Sequence, residues 1–186
     1  MKSKLNQLWS PWRATYVASA KQPEDSPNST NISCFLCESQ NLAENAESLV
    51  IHKGEHNFII LNKYPYSTGH LLVVPYEHEA NLLNLSKESR TESTDLIDLS
   101  IEKLIGEYNP NGFNVGMNLG KAAGAGVPNH IHIHVVPRWE GDTNFMPIIG
   151  ETKIVVQSLK ENYDNLRPDF CLLYTSDAAD EGLGVD

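Results

Sequence analysis

The sequence predicts an α+β fold, an antiparallel sheet of about five strands crossed by one long helix. Two features carry this prediction. Short runs rich in Val, Ile and Leu, bounded by turn residues, recur through the middle of the chain. Among them lies one long segment, residues 86–108, with apolar residues at helical spacing. A chain of 186 residues is long enough for one core of ordinary size and too short for two.

The elements follow in order. Ser10-Pro11-Trp12 reads as a helix start, with Ser as N-cap and Pro at the first helical position. Residues 21–31, KQPEDSPNSTN, are polar, carry two prolines and read as a mobile loop. Residues 1–33 are therefore expected to be an extension to a domain over 34–170. Residues 49–53, 57–62 and 70–74 read as three strands, with 63–69 a turn containing Pro65 and Gly69. In the long helix Ile97, Ile101, Leu104, Ile105 and Tyr108 mark one face; Ser86 caps its start and Asn109-Pro110-Asn111-Gly112 stops it. Residues 113–118 and 129–137 read as strands on either side of a Gly/Ala loop at 120–126, and a last helix is expected over about 152–165. Residues 171–186, CLLYTSDAADEGLGVD, show neither period and closely resemble the translation of a sequencing adapter. They are expected not to be native and stay outside the fold reading.

Charge and hydropathy narrow the function. The net charge is −10, from 14 Lys+Arg against 24 Asp+Glu, and it is −6 without the acidic residues of 171–186. A broad nucleic-acid footprint needs the opposite sign. No stretch approaches the roughly 18 apolar residues of a membrane helix, and the first residues, MKSKLNQLWSPW, have no apolar signal region. The expectation is a cytoplasmic protein with neither nucleic acid nor membrane as partner.

The most informative segment is Asn129-His130-Ile131-His132-Ile133-His134-Val135-Val136-Pro137-Arg138. A strand alternates its faces, so His130, His132 and His134 share one side, about 7 Å apart, and the apolar residues take the other. Such a row suits metal binding, proton transfer or attack on phosphorus. The plain alternatives are a solvated polar face or a His-x-His metal site. The loop holding Gly120, Lys121, Gly124, Ala125 and Gly126 precedes it; small residues let backbone N–H groups approach an anion, though such a loop alone is equally a flexible turn. Cys34-x-x-Cys37 reads as a metal half-site, a redox pair or two buried thiols.

H-I-H-I-H-V-V-P-R resembles the histidine triad (HIT) signature, in which three histidines alternate with apolar residues. The likeness extends to Asn62…Gly69-His70-Leu71-Leu72-Val73-Val74-Pro75, to Gly112-Phe113-Asn114-Val115-Gly116-Met117-Asn118, to Trp139…Gly141-Asp142-Thr143-Asn144-Phe145, and to Leu8-Trp9-Ser10-Pro11-Trp12-Arg13…Tyr16. It is nearest the bacterial branch that holds diadenosine tetraphosphate phosphorylases. The resemblance implies a HIT-like fold and nucleotidyl transfer or hydrolysis at an α-phosphate, with dinucleoside polyphosphate phosphorolysis as the leading activity. Hydrolysis of such polyphosphates, phosphoramidase activity and a zinc-stabilised nucleotide-binding module with little turnover are the alternatives. It implies His132 as nucleophile with His130 and His134 beside it. Asn62, His70, Asn118, Gly120, Lys121, Gly124, Ala125 and Gly126 are implied around the nucleotide. Many relatives place Gln, Ser or Thr near Ala125 and Gly126, and here no side chain takes that part. The resemblance also implies structural zinc on Cys34, Cys37, His78 and His130, and a homodimer. His52 and His56 have no expected role beyond solvated surface.

Overall fold

The structure, a computed structural model, describes residues 34–142 and 157–171. Helix α1 is Phe35–Ser39. Three strands follow: β1 Val50–Lys53, β2 Asn57–Leu61 and β3 Leu71–Pro75. The long helix α2 is Lys87–Tyr108, followed by β4 Gly112–Gly116, β5 Ile133–Arg138 and α3 Leu159–Cys171. The strands form one antiparallel sheet in the order β1-β2-β3-β5-β4. The expected five-stranded α+β architecture is therefore present.

Both faces of this sheet are covered, which explains why β2 and β3 read as unbroken apolar runs. Ile59, Leu61, Leu71, Val73, Ile133 and Val135 point to one side, where Leu96 and Leu104 of α2 and Leu166 and Phe170 of α3 meet them. Val50, Phe58, Ile60, Leu72 and Val74 point to the other, against Leu36 of α1. The register sets Ile60, Leu72, His134 and Gly116 in one row across that second face.

Helix α2 starts on Ser86, whose hydroxyl accepts the Ser89 N–H at 3.2 Å, and stops on Asn109, a left-handed residue at φ 44°. Of the expected face, Leu104 is buried and Ile97, Ile101 and Tyr108 pack against the core, but the buried face extends further. Ser89, Ser93, Leu96, Ser100 and Leu104 are buried, whereas Ile105 is half exposed. Small serines let the helix lie close to the sheet, and their hydroxyls turn back to the helix: Ser93 to the Ser89 carbonyl at 2.8 Å and Ser100 to that of Leu96 at 2.6 Å. The fully buried Asn57 ties β2 to this face, donating to the Ser89 carbonyl and accepting from the Ser93 hydroxyl. The Glu92 carboxylate accepts from the N–H groups of Glu55 and His56 at 2.6 and 2.7 Å, pinning the β1–β2 turn to α2. Burial acts to raise the Glu92 pKa, but these bonds together with the Asn57 amide hold it below the usual carboxylate value.

Two boundaries need correction. Strand β5 begins at Ile133 rather than residue 129, because the backbone before it has other partners: the Ile131 N–H donates to the Glu79 carbonyl at 2.7 Å. The last helix runs past residue 165 to Cys171. Its start carries a capping box that the sequence reading missed, Ser158-Leu159-Lys160-Glu161, in which the Glu161 carboxylate accepts from the Ser158 N–H at 2.8 Å and the Ser158 hydroxyl accepts from the Glu161 N–H at 3.2 Å. Pro168 falls in its last turns, and the burial of Leu166 and Phe170 offsets the one backbone bond Pro168 cannot make. The helix start at Ser10, the loop at 21–31, residues 143–145 and 152–156, and 172–186 lie outside the described residues.

Gly69 is a tight joint between the sheet and α2. It sits at φ +70°, donates its N–H to the buried Asn162 side chain at 2.9 Å, and a Cβ there would lie 2.8 Å from a Leu104 methyl and 2.9 Å from the Tyr108 ring. Gly69→Ala is expected to cost about 2–4 kcal/mol from left-handed strain plus overpacking, lowering Tm by roughly 5–15 °C. A thermal melt checks it, and an unchanged Tm would contradict this account of the joint.

Candidate active site

A cavity of about 860 Å³ opens on the sheet face turned away from α2. Its apolar lining includes Leu36 of α1, Leu49, Ile60, Leu72 and Val127, and its polar lining includes Asn62, Asn118, His132 and His134. The row that places Leu72 beside His134 continues to Gly116, where a Cβ would meet nothing within 4 Å.

Hydrogen bonds fix the ring nitrogens. His132 Nδ1 lies 2.9 Å from the His130 carbonyl oxygen, which can only accept, so the proton sits on Nδ1. The Nε2 lone pair of His132 is thereby left for the cavity that the residue lines. The Tyr66 N–H donates to His70 Nδ1 at 2.9 Å, so His70 carries its proton on Nε2 and gives it to His134 Nδ1, also at 2.9 Å. His134 then presents Nε2–H, a buried donor with no partner among the described residues. The rings of His132 and His134 are edge to face, 5.1 Å apart. One nucleophilic nitrogen and one unspent donor thus stand side by side.

His130 faces elsewhere. Its Nε2–H donates to the Pro75 carbonyl at 2.9 Å, and its Nδ1 lies 3.4 Å from the sulfurs of both Cys34 and Cys37. The exposed His78 brings its Nδ1 to 3.1 Å from Cys37 Sγ. The four ligand atoms lie within 4.8 Å of one another, a possible metal site. Two thiols and two imidazoles match a closed tetrahedral set, and the Pro75 carbonyl acts as the outer partner that selects Nδ1 of His130 as its ligand atom. Neither ring nitrogen of His130 is left for the cavity. Its carbonyl, not its ring, reaches His132.

The other expected residues divide. Asn62, Asn118 and Gly126 line the cavity, and the buried His70 supports His134 from behind. Gly120, Lys121, Gly124 and Ala125 sit in the adjoining loop and are not among the cavity's lining residues. Gly120 and Gly124 adopt φ +81° and +89°, and three loop N–H groups bond inside the loop: Ala123 and Ala125 to the Gly120 carbonyl, Gly124 to that of Lys121. Three of the seven N–H groups of residues 120–126 thus close the loop's own turn. The sequence reading missed Lys63, Tyr64 and Tyr66, which line the cavity from the β2–β3 turn, and Lys160 of α3. A Lys-Tyr-Pro-Tyr turn reads as turn chemistry only, with no signal of what it faces.

Burial pushes His134 below the ordinary histidine value, and the neighbouring His132 adds to this. His52 is half-buried against Phe170, ring centroids 6.0 Å apart, rather than solvated. Burial lowers its pKa too, outweighing Glu44. Both groups take up a proton more readily unfolded than folded. Their contribution to stability is full above about pH 6.5 and is lost as pH falls toward the lower folded values. The urea midpoint is expected to fall between pH 7.5 and 5.5, and to fall less in His52→Gln; an equal fall in the variant would contradict the assignment to His52.

Comparison with known proteins agrees with this geometry. A family model described as the HIT domain matches residues 43–141. The AP-4-A phosphorylase of Mycobacterium tuberculosis is 38% identical over 160 residues, 86% of this chain and 82% of that protein. The bis(5'-adenosyl)-triphosphatase of Saccharomyces cerevisiae is 32% identical over 94 residues, 49% of this chain and 44% of that protein. A crystal structure of a Zn-bound histidine triad family protein from Mycobacterium smegmatis superposes with a TM-score of 0.61 at 27% identity, covering 77% of this chain and 97% of that one. With the family model matching more than half of the chain and a relative 38% identical over 86% of it, the chain belongs to the histidine triad (HIT) family.

Proposed function

We propose that the protein is an enzyme that splits dinucleoside polyphosphates at an α-phosphate and passes the nucleotidyl group to inorganic phosphate. The observation that carries this reading is the orientation of His132, whose protonated Nδ1 is held by the His130 carbonyl so that Nε2 is a ready nucleophile at the cavity. The 38% identity to a protein named AP-4-A phosphorylase favours phosphate over water as acceptor.

The chemistry runs in two halves. His132 Nε2 attacks the α-phosphorus; a P–N bond forms, and the bridging P–O bond breaks with its electron pair leaving on the polyphosphate. His134 Nε2–H donates to an oxygen of that centre, where charge develops. A phosphate oxygen then attacks the same phosphorus, a P–O bond forms, the P–N bond breaks and His132 is restored. Diadenosine tetraphosphate thereby yields ATP and ADP. The apolar side of the cavity faces one base, and Asn62 the ribose. Asn118 and Gly126 line the same cavity, with the loop of Gly120, Lys121, Gly124 and Ala125 beside it.

The metal at Cys34, Cys37, His78 and His130 is proposed to be zinc, bound as a structural ion that clamps α1 to the start of the histidine run. Thiolate ligands suit a reducing cytoplasm, and the acidic charge disfavours a nucleic-acid partner. Among the described residues no helix is long and apolar enough to cross a membrane. A homodimer is proposed through α2 and the edge strand β4, supported by half-exposed Ile105 and Val115.

Incubation with diadenosine tetraphosphate with and without phosphate tests the activity. ATP plus ADP only with phosphate is expected, and His132→Ala should lose at least about 10³-fold in rate, as befits removal of a covalent nucleophile. AMP plus ATP without phosphate would make it a hydrolase, and equal rates in the variant would overturn the reading. For the metal, stoichiometric zinc is expected by elemental analysis, and stripping it should lower Tm because ligand binding to the folded state is folding free energy. A Tm indifferent to the metal would contradict a structural site.

A further inference from the structure

The cavity holds more than one nucleoside monophosphate requires. Leu36, Leu49, Ile60, Leu72 and Val127 form an apolar wall suited to one base, and His132 with His134 would meet one phosphorus. Another part of the lining is of a different kind: Lys63, Tyr64 and Tyr66 from the β2–β3 turn, and Lys160 from α3. The Tyr66 ring stacks on His134 at 5.7 Å and leans on His70 at 4.7 Å, so this turn stands directly beside the catalytic pair. Tyr64 precedes it by two residues and is 76% exposed. Its N–H donates to the Asn62 side chain at 2.9 Å, which pins the turn to the cavity wall.

A lone exposed tyrosine on a surface calls for no explanation. Here Tyr64 lines the cavity while remaining largely exposed, and so does its neighbour in sequence, Lys63. An open aromatic face at such a place is a stacking platform for any base, and the lysine suits a phosphate chain running between two nucleosides. Glu47 also lines the cavity and Lys160 is paired with Asp164, so Lys63 is the better placed charge.

We propose that Tyr64 is the platform for the second nucleoside of a dinucleoside polyphosphate, so that the β2–β3 turn sets the preference for two-headed over one-headed substrates. This rests on the reading of the activity given above. The turn acts on the leaving half of the substrate, away from the nucleophile, and the base it takes is selected weakly, because stacking tolerates all bases.

The test compares kcat/KM for diadenosine tetraphosphate with that for adenosine tetraphosphate, which has the same phosphate chain and one nucleoside. The ratio is expected to fall about tenfold in Tyr64→Ala, within the range that removing one base–aromatic stack gives, and to be rescued by Tyr64→Phe, which keeps the ring. A ratio unchanged in Tyr64→Ala, or a loss shared equally by both substrates, would overturn the platform while leaving the activity standing. Wild-type protein that cleaves neither substrate faster than His132→Ala would remove the activity and the platform together. Tyr64 is largely in solvent, so a matching melting curve separates these outcomes from misfolding.

Discussion

The site depends on one residue held from three sides. The His130 ring is fixed by the Pro75 carbonyl at Nε2 and faces two sulfurs with Nδ1, and its own carbonyl oxygen then orients His132 at 2.9 Å. Four residues that could hold a metal thus lie one hydrogen bond from His132, the proposed nucleophile. Among the described residues the hydrogen bond that sets the His132 tautomer comes from behind, from the main-chain carbonyl of His130 ahead of β5. A second line of bonds serves His134 in the same manner, from the Tyr66 N–H through His70. Both reactive nitrogens are therefore set by fixed donors and acceptors rather than by each other, which is the preorganisation that phosphoryl chemistry asks of a protein.

The sheet makes this possible because it is buried on both sides. One face takes α2 and α3, and the other takes α1 and the cavity. Strand β5 sits between β3 and β4, so His134 projects from an interior strand while Ile133 and Val135 anchor the opposite face. Gly116 across from His134 keeps the row open. Gly69, just ahead of β3, lets Leu104 and Tyr108 of the long helix come within contact of the backbone and places His70 where it meets His134.

Much of this was legible in the sequence, for identifiable reasons. Alternation places His134 opposite Ile133 and Val135 in β5 but not His130, which precedes the strand and turns its ring toward Cys34 and Cys37, and runs of Val, Ile and Leu mark strands buried on both sides. The metal set of Cys34, Cys37, His78 and His130 came from resemblance, since residues up to 96 positions apart leave no local trace of meeting. What escaped was set by tertiary partners. The buried face of α2 includes three serines beside Leu96 and Leu104, so an apolar period finds Leu104 but misses the serines and wrongly includes Ile105. In the loop at 120–126 three N–H groups close the loop's own turn, a pairing that residue type alone does not show. The tyrosines of the β2–β3 turn gave no sign of the cavity they face, because turn propensity carries no information about what lies across from it.

The most direct test of the central claim is to trap the covalent intermediate. Acid-free quenching of the enzyme with diadenosine tetraphosphate in the absence of phosphate, where only the first half of the reaction runs, followed by peptide mass spectrometry should find a nucleotidyl group on His132. The linkage should be acid-labile, as a P–N bond is, and adding phosphate before the quench should discharge it as ADP. An adduct on another residue, or turnover with no adduct under any quench, would contradict the role assigned to His132 and to the carbonyl that orients it.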